Sequence, residues 1–128
     1  MNLIKINAVD ALRMMKNGEL TSENYVRAFL DHIKIREPDV GAWIYLDPEL
    51  AIDQARQADQ RWKNKKAGFL NGLPIGIKDI VDTKDMPTEN GSLICKNRKP
   101  TEDAHLVKLL RDAGCLLYTS PSPRDIGP

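Results

Sequence analysis

The residues best placed to do chemistry lie between Gly72 and Thr83, in the run Gly-Leu-Pro-Ile-Gly-Ile-Lys-Asp-Ile-Val-Asp-Thr. Strict alternation predicts a strand over Leu73 to Val81, with Ile75 and Ile77 on one face and Gly76, Lys78 and Ile80 on the other. Lys78 is therefore an ammonium group set within apolar sequence. Burying an ammonium without a partner costs several kcal/mol, so such a lysine must find a counter-charge or give up its proton. Two readings stay open on the residues alone. Asp79 or Asp82 screens a snorkelling lysine at a sheet edge, or Lys78 is neutral and acts as a base.

Other reactive side chains are less well arranged. Asp79, Asp82 and Asp85 recur every three residues, yet no histidine accompanies them, and an oxygen-only cation site needs a more organised loop. They are assigned to solvated turns and strand ends. His32, His105 and Cys95 lack metal-ligand spacing and are read as surface groups. The two cysteines, Cys95 and Cys115, fall outside any Cys-x-x-Cys pattern and are read as reduced structural thiols. Gly72-x-x-x-Gly76 followed by Lys78 lacks the Walker spacing and the Ser or Thr after the lysine, which excludes a phosphate loop. Neither a metal nor a cofactor is implied.

The elements that must position Lys78 belong to a chain of 128 residues, the size of one ordinary domain or a piece of a larger one. Nineteen Lys and Arg against 18 Asp and Glu give a formal net charge of +1, which leaves no field to hold nucleic acid or an anionic membrane surface. No apolar run approaches the roughly 20 residues of a bilayer span, and the mean hydropathy is -0.43. Asp10 interrupts the only hydrophobic stretch near the N-terminus, so no leader is read there and the chain is expected to be cytoplasmic.

Helical spacing of Ala8, Leu12 and Met15 predicts a first helix over residues 7–17, capped by Asn7 and stopped by Gly18. A second helix starts at Thr21 or Ser22, carries the stripe Tyr25, Val26, Phe29, Leu30 and Ile33, and is expected to end at Pro38. Val40 to Leu46 reads as a short strand, rich in β-branched and aromatic residues. Asp47-Pro48-Glu49 opens a third helix whose face of Ala51, Ala55, Ala58 and Trp62 suits close packing on a sheet. Residues 82–100 read as a long loop. Thr101-Glu102-Asp103 caps a last helix, with Gly114 where a left-handed terminator is wanted.

From Gly72 to Gly114 the chain resembles the amidase signature family of serine hydrolases. The strand Gly-Leu-Pro-Ile-Gly-Ile-Lys-Asp matches the opening of that family's core. Ile80-Val81-Asp82, Met86-Pro87-Thr88 and Gly91-Ser92 follow in order, and then Pro100, Asp103-Ala104, Val107, Leu110, Arg111 and Ala113-Gly114. The first 71 residues look like the family's helical lead-in. The resemblance implies an α/β fold, of which this chain holds the N-terminal part: the lead-in and the start of a mixed β-sheet flanked by helices.

The resemblance also implies a catalytic triad of a serine, a second serine held by a cis peptide, and a lysine, the last matched by Lys78. A serine hydroxyl is a poor nucleophile at neutral pH and needs a base within hydrogen-bond reach; a desolvated lysine can take its proton through the intermediate serine. The family places both serines in a Gly-Ser-rich motif well downstream. After Lys78 this chain has Ser92, read as a turn residue, and Ser120 and Ser122, set between prolines with no glycine cluster to build an oxyanion hole. The chain as it stands is therefore expected to be inactive.

Residues 1–114 read as the N-terminal portion of a single amidase domain. Cys115-Leu116-Leu117-Tyr118 could begin a strand, but the following run, with Pro121, Pro123 and Pro128, has almost nothing apolar. Residues 115–128 are expected to be a disordered tail, and they resemble translated sequencing-adapter read-through more than native sequence. The resemblance implies hydrolysis of a carbon–nitrogen amide bond in a small-molecule substrate. Two alternatives are carried beside it. One is the amidase subunit of a tRNA-dependent glutamyl or aspartyl amidotransferase, with partner subunits, and the other is a small non-catalytic interaction domain. Homo-oligomers are left open.

Overall fold

The computed structural model describes residues 2–43 and 45–120, the last three by backbone alone. Among the described residues, four helices and two strands follow in the order α1 (Ala8–Lys16), α2 (Ser22–Val40), α3 (Pro48–Lys63), β1 (Pro74–Lys78), α4 (His105–Asp112) and β2 (Leu116–Ser120). Short 3-10 turns span Leu3–Lys5 and Leu93–Cys95. No helix among the described residues is long and apolar enough to cross a membrane.

Local sequence explains the helix starts. Asn7, Thr21 and Asp47 each accept a hydrogen bond from a backbone N–H three residues on, and Pro48 takes the first position of α3, where no donor is needed. The start of α2 has a second, distant support. The Asp59 carboxylate of α3 accepts the N–H groups of Ser22 at 2.7 Å and Glu23 at 3.1 Å, which ties the two helices together.

Three local expectations change. Pro38 lies inside α2, which runs on to Val40 and closes at Gly41. The Glu37 carboxylate turns back onto the N–H groups of Ala42 and Trp43, so the donors after the helix are met. The strand expected over Val40 to Leu46 is absent among the described residues there, which hold a single bridge residue, Tyr45. Its bulky side chains pack as tertiary contacts instead: Trp43 and Leu46 on the cluster of Val26, Ala51 and Ala55, Tyr45 on the cluster around Ile77. The last helix begins at His105, without a side-chain cap, because Asp103 is occupied elsewhere.

The two strands pair in parallel, Pro74 beside Leu116 and Lys78 beside Ser120. A parallel pair needs a crossover, and α4 with the loop before it supplies one. The sheet is packed on both faces around Leu116 and Leu117. Leu116 joins Val26, Ala51 and Ala55 of α2 and α3, while Leu117 joins Ile77, Met86 and Val107 on the side of α4. Burying one such leucine is worth roughly 1.5–3 kcal/mol, enough to hold the strand in place. The expectation of disorder from residue 115 therefore fails for its first six residues. The prolines that argued for it begin only at 121, and residues 121–128 lie outside those described.

Candidate active site

Alternation along β1 is as the sequence predicts: Ile77 is buried, Ile75 partly buried, and Gly76, Lys78 and Ile80 are exposed. Lys78 is the last residue of the strand. Its backbone carbonyl accepts the N–H of Val81 at 3.0 Å, which turns the chain away just after it. On the same face the indole of Trp43 lies so close to Gly76 that a Cβ there would sit 3.1 Å from Trp43 Cη2. A side chain at that position would need the indole to give way by a few tenths of an ångström. Lys78 thus stands exposed at the carboxyl end of a parallel strand, two residues beyond the glycine that Trp43 covers, where crevices in α/β sheets take ligands. Among the described residues Lys78 remains exposed, so burial of the ammonium is not realised there.

Asp79 departs from expectation more sharply. It is 1% exposed, not solvated, and its carboxylate accepts the N–H groups of Glu89 at 3.0 Å and Gly91 at 3.2 Å. Its own carbonyl accepts the N–H of Asn90 at 2.9 Å. One residue therefore holds three successive amides, and it does not screen Lys78 with a free carboxylate. Ser92, the next residue of that turn, accepts the N–H of Ile94 and starts the 3-10 turn, the structural role its position suggested.

The loop of residues 82–100 is tied down by its other carboxylates. Asp82 takes a bidentate contact from Arg98 at 2.8 and 3.2 Å, and this hydrogen bonding holds its carboxyl below the ordinary value. Asp103 accepts the N–H of Lys84 at 2.8 Å and pairs with Arg111, which also reaches Asp85 at 2.7 Å. Burial alone would pull the Arg111 guanidinium down, yet the two carboxylates leave it above its ordinary value. Thr83 and Thr88, both buried, meet side chain to backbone across the same loop.

Between the end of β1 and this loop lies a cleft of about 430 Å³, bordered by Asp79, Glu89, Ser92, Leu93 and Lys96. Larger grooves run along α2 and α3, but β1 lines none of them. Ser120 is the neighbour of Lys78 in the sheet register, and Ser122 lies outside the described residues. His32 and His105 are exposed and distant in sequence from any ligand set, and both cysteines are free thiols. Burial pushes the Cys115 thiol up to about 11, so it stays protonated and inert.

The amidase family profile matches residues 24–121, more than three quarters of the chain. This chain belongs to the amidase family. The A subunit of glutamyl-tRNA(Gln) amidotransferase from Acidothermus cellulolyticus is 37% identical over 117 residues, and that from Dehalococcoides mccartyi 34% over 116. Among solved structures, the peptide amidase of Stenotrophomonas maltophilia is 31% identical at a TM-score of 0.83, over 91% of this chain. A fatty acid amide hydrolase superposes with a TM-score of 0.87 at 22% identity, a likeness of fold. The chain spans about a quarter of the length of these relatives, 23% of the first and 24% of the peptide amidase. The α/β architecture is thus the N-terminal part of the amidase fold, as its helical lead-in and small parallel sheet indicated.

Proposed function

We propose that the protein to which these residues belong hydrolyses a carbon–nitrogen amide bond, with Lys78 as the base of a Ser–cis-Ser–Lys triad. The observation that carries this reading is the placement of Lys78 at the carboxyl end of a parallel strand, on a face left open beside Trp43. Both serines belong to the remainder of the amidase domain, for which residues 1–114 supply the lead-in and the first strand. That remainder covers the open face. Lys78 accepts the proton of the bridging serine, which takes one from the nucleophile as its oxygen bonds to the amide carbon; the relay then returns a proton to the amide nitrogen, and the C–N bond breaks as the amine leaves. Water then cleaves the acyl-enzyme by the same relay. The substrate is a small-molecule amide, the site needs no cofactor, and the enzyme works in the cytoplasm.

The first relatives favour a specific version, because they are amidotransferase A subunits at 34–37% identity over nine tenths of this chain. In that version glutamine is the amide, ammonia is the leaving group, and partner subunits receive it. Copurification of a tagged full-length protein with further subunits supports the amidotransferase; a lone enzyme that turns over simple amides supports the hydrolase.

The test is the Lys78→Ala and Lys78→Arg pair in the full-length enzyme. Both should lose at least about 100-fold in kcat, the lower end of what a general base contributes. Guanidinium keeps its proton at any accessible pH and cannot serve as a base. Near-normal kcat in the Arg variant would make Lys78 a structural cation and sink the assignment.

A further inference from the structure

The mechanism above uses Lys78 and leaves its neighbour unexplained. Asp79 is a buried carboxylate directly after the proposed base, and among the described residues no arginine, lysine or histidine bonds to it; its two oxygens are spent on the backbone N–H groups of Glu89 and Gly91. We propose that Asp79 is the positioning residue of Lys78: by gripping the 89–91 turn it fixes the end of β1 and hence the direction in which the lysine leaves the strand. The inference rests on the reading of Lys78 as the base.

Three observations support it. First, the grip is anchored at both ends of one residue, with the carboxylate on two amides and the carbonyl on the N–H of Asn90 between them. A backbone so held cannot rotate at Asp79 without breaking three bonds. Second, alternation turns Asp79 inward and Lys78 outward, so any rotation of the strand end to relax one swings the other. Third, the turn itself is held from its far side. Glu89 accepts the N–H of Asn97, and the N–H of Thr88 bonds to the carbonyl of Arg98 at 2.9 Å. The clamp therefore transmits a fixed frame to the strand end and does not trail a loose loop. A bonded carboxylate that accepts two N–H groups is more rigid than a neutral acceptor, because charge-assisted hydrogen bonds are shorter and about twice as strong.

The test compares Asp79→Asn with Lys78→Ala in the full-length enzyme. Asparagine keeps the shape and one acceptor but turns an NH2 towards the second amide, so the turn is released on one side. Activity is counted per active serine titrated to completion with a fluorophosphonate, so loss of folded protein does not register. Asp79→Asn should lower kcat per titrated site by at least about tenfold with KM held within about threefold, as expected when a base is displaced and not removed. Asp103→Asn serves as the control, since it removes another buried carboxylate that holds a backbone N–H; it should lower the melting temperature and leave kcat per site unchanged. If Asp79→Asn gives no titratable sites, Asp79→Glu takes its place. It keeps the charge and both acceptors but sets the turn back by one methylene, and it carries the same expected loss. A lowered melting temperature with kcat per site intact, or a loss confined to KM, would overturn the positioning role while leaving Lys78 as the base. An active Lys78→Ala enzyme would instead overturn the functional reading beneath it.

Discussion

At the N-terminal end of β1 the chain is closed on every side, whereas at its C-terminal end it is tied down but open. Asn71, 0% exposed, donates its amide to the Ala58 carbonyl at 2.9 Å, accepts from Arg61 at 2.7 Å, and its backbone carbonyl accepts the Trp62 indole N–H. Gly72 receives the Ser22 hydroxyl on its carbonyl and donates its N–H to the carbonyl of Gly114. These bonds join α2, α3, β1 and the start of β2 at one point. Further along the strand, Lys78 is exposed, and the polar bonds around it belong to loop backbone held by carboxylates. The difference assigns two kinds of work. The closed end sets the relation of strand to helices, and the open end keeps one side chain available while its backbone cannot move.

The sharpest way to break the closed end is Gly114→Ala. Gly114 has φ +96, and a Cβ there would meet Asn71 Cα at 2.6 Å and Asn71 Oδ1 at 2.8 Å. Neither neighbour can yield, because Asn71 is fixed by its own three bonds. Left-handed strain and backbone overlap together should cost roughly 3–5 kcal/mol, a large part of a small domain's stability. Urea denaturation followed by far-UV circular dichroism measures it. A loss below about 1 kcal/mol would show that the closed end gives way, and the contrast with the open end would collapse.

How much of this contrast is legible in the sequence depends on the distance over which each feature is decided. The caps at Asn7 and Asp47 and the faces of β1 follow from neighbours within four residues, and the structure reproduces them. The face of Lys78 was readable by alternation, but what covers that face was not, since covering groups come from elsewhere in a fold. Asp79 and Asp103 were misread for the same reason. Their partners lie 10 to 19 residues away, at Glu89, Gly91 and Lys84, and only folding brings those N–H groups to the carboxylates. Asp103 shows the competition directly: as part of Thr101-Glu102-Asp103 it reads as a helix cap, yet Lys84 and Arg111 claim it. The early part of the C-terminal stretch was misread because three prolines outweighed Leu116 and Leu117, two residues that find a core on opposite faces of the sheet.

A middle-sized effect belongs to the clamp between the loop and α4. Arg111 lies 2.8 Å from Asp103, whose side chain is 3% exposed, and 2.7 Å from Asp85. Replacing Arg111 by Met keeps the stem's packing and removes the charge, which strands one buried carboxylate and one partly exposed one. The expected loss is about 1–3 kcal/mol, less than for a fully buried pair because Asp85 can turn to water. Asp103→Asn keeps an acceptor for the Lys84 N–H and removes the stranded charge, so adding it to Arg111→Met should recover part of the loss. Thermal melts of the single and double variants at pH 7 test both statements. A double variant no more stable than Arg111→Met would mean that packing of the Arg111 stem, and not its charge, joins loop to helix.

The smallest effect should come from Asp82 and Arg98, the ion pair on the outer side of the same loop, where both side chains are 40% exposed. The Arg98 hydrogen bonds hold the Asp82 carboxyl below its ordinary value of 3.8, so the folded state prefers the ionised form. The pair's contribution is then fully present above that ordinary value and is lost as pH falls through the lower folded one. Exposure and salt screening keep it small, since most surface pairs of this kind contribute little. Asp82→Asn, Arg98→Gln and the double variant form a cycle whose coupling, read from melting midpoints at pH 7, should be smaller than either preceding effect and should vanish in 1 M NaCl. A coupling that survives high salt would mean that the outer loop is locked as firmly as the Asn71–Gly114 junction. The openness around Lys78 would then owe nothing to looseness in the loop that borders it.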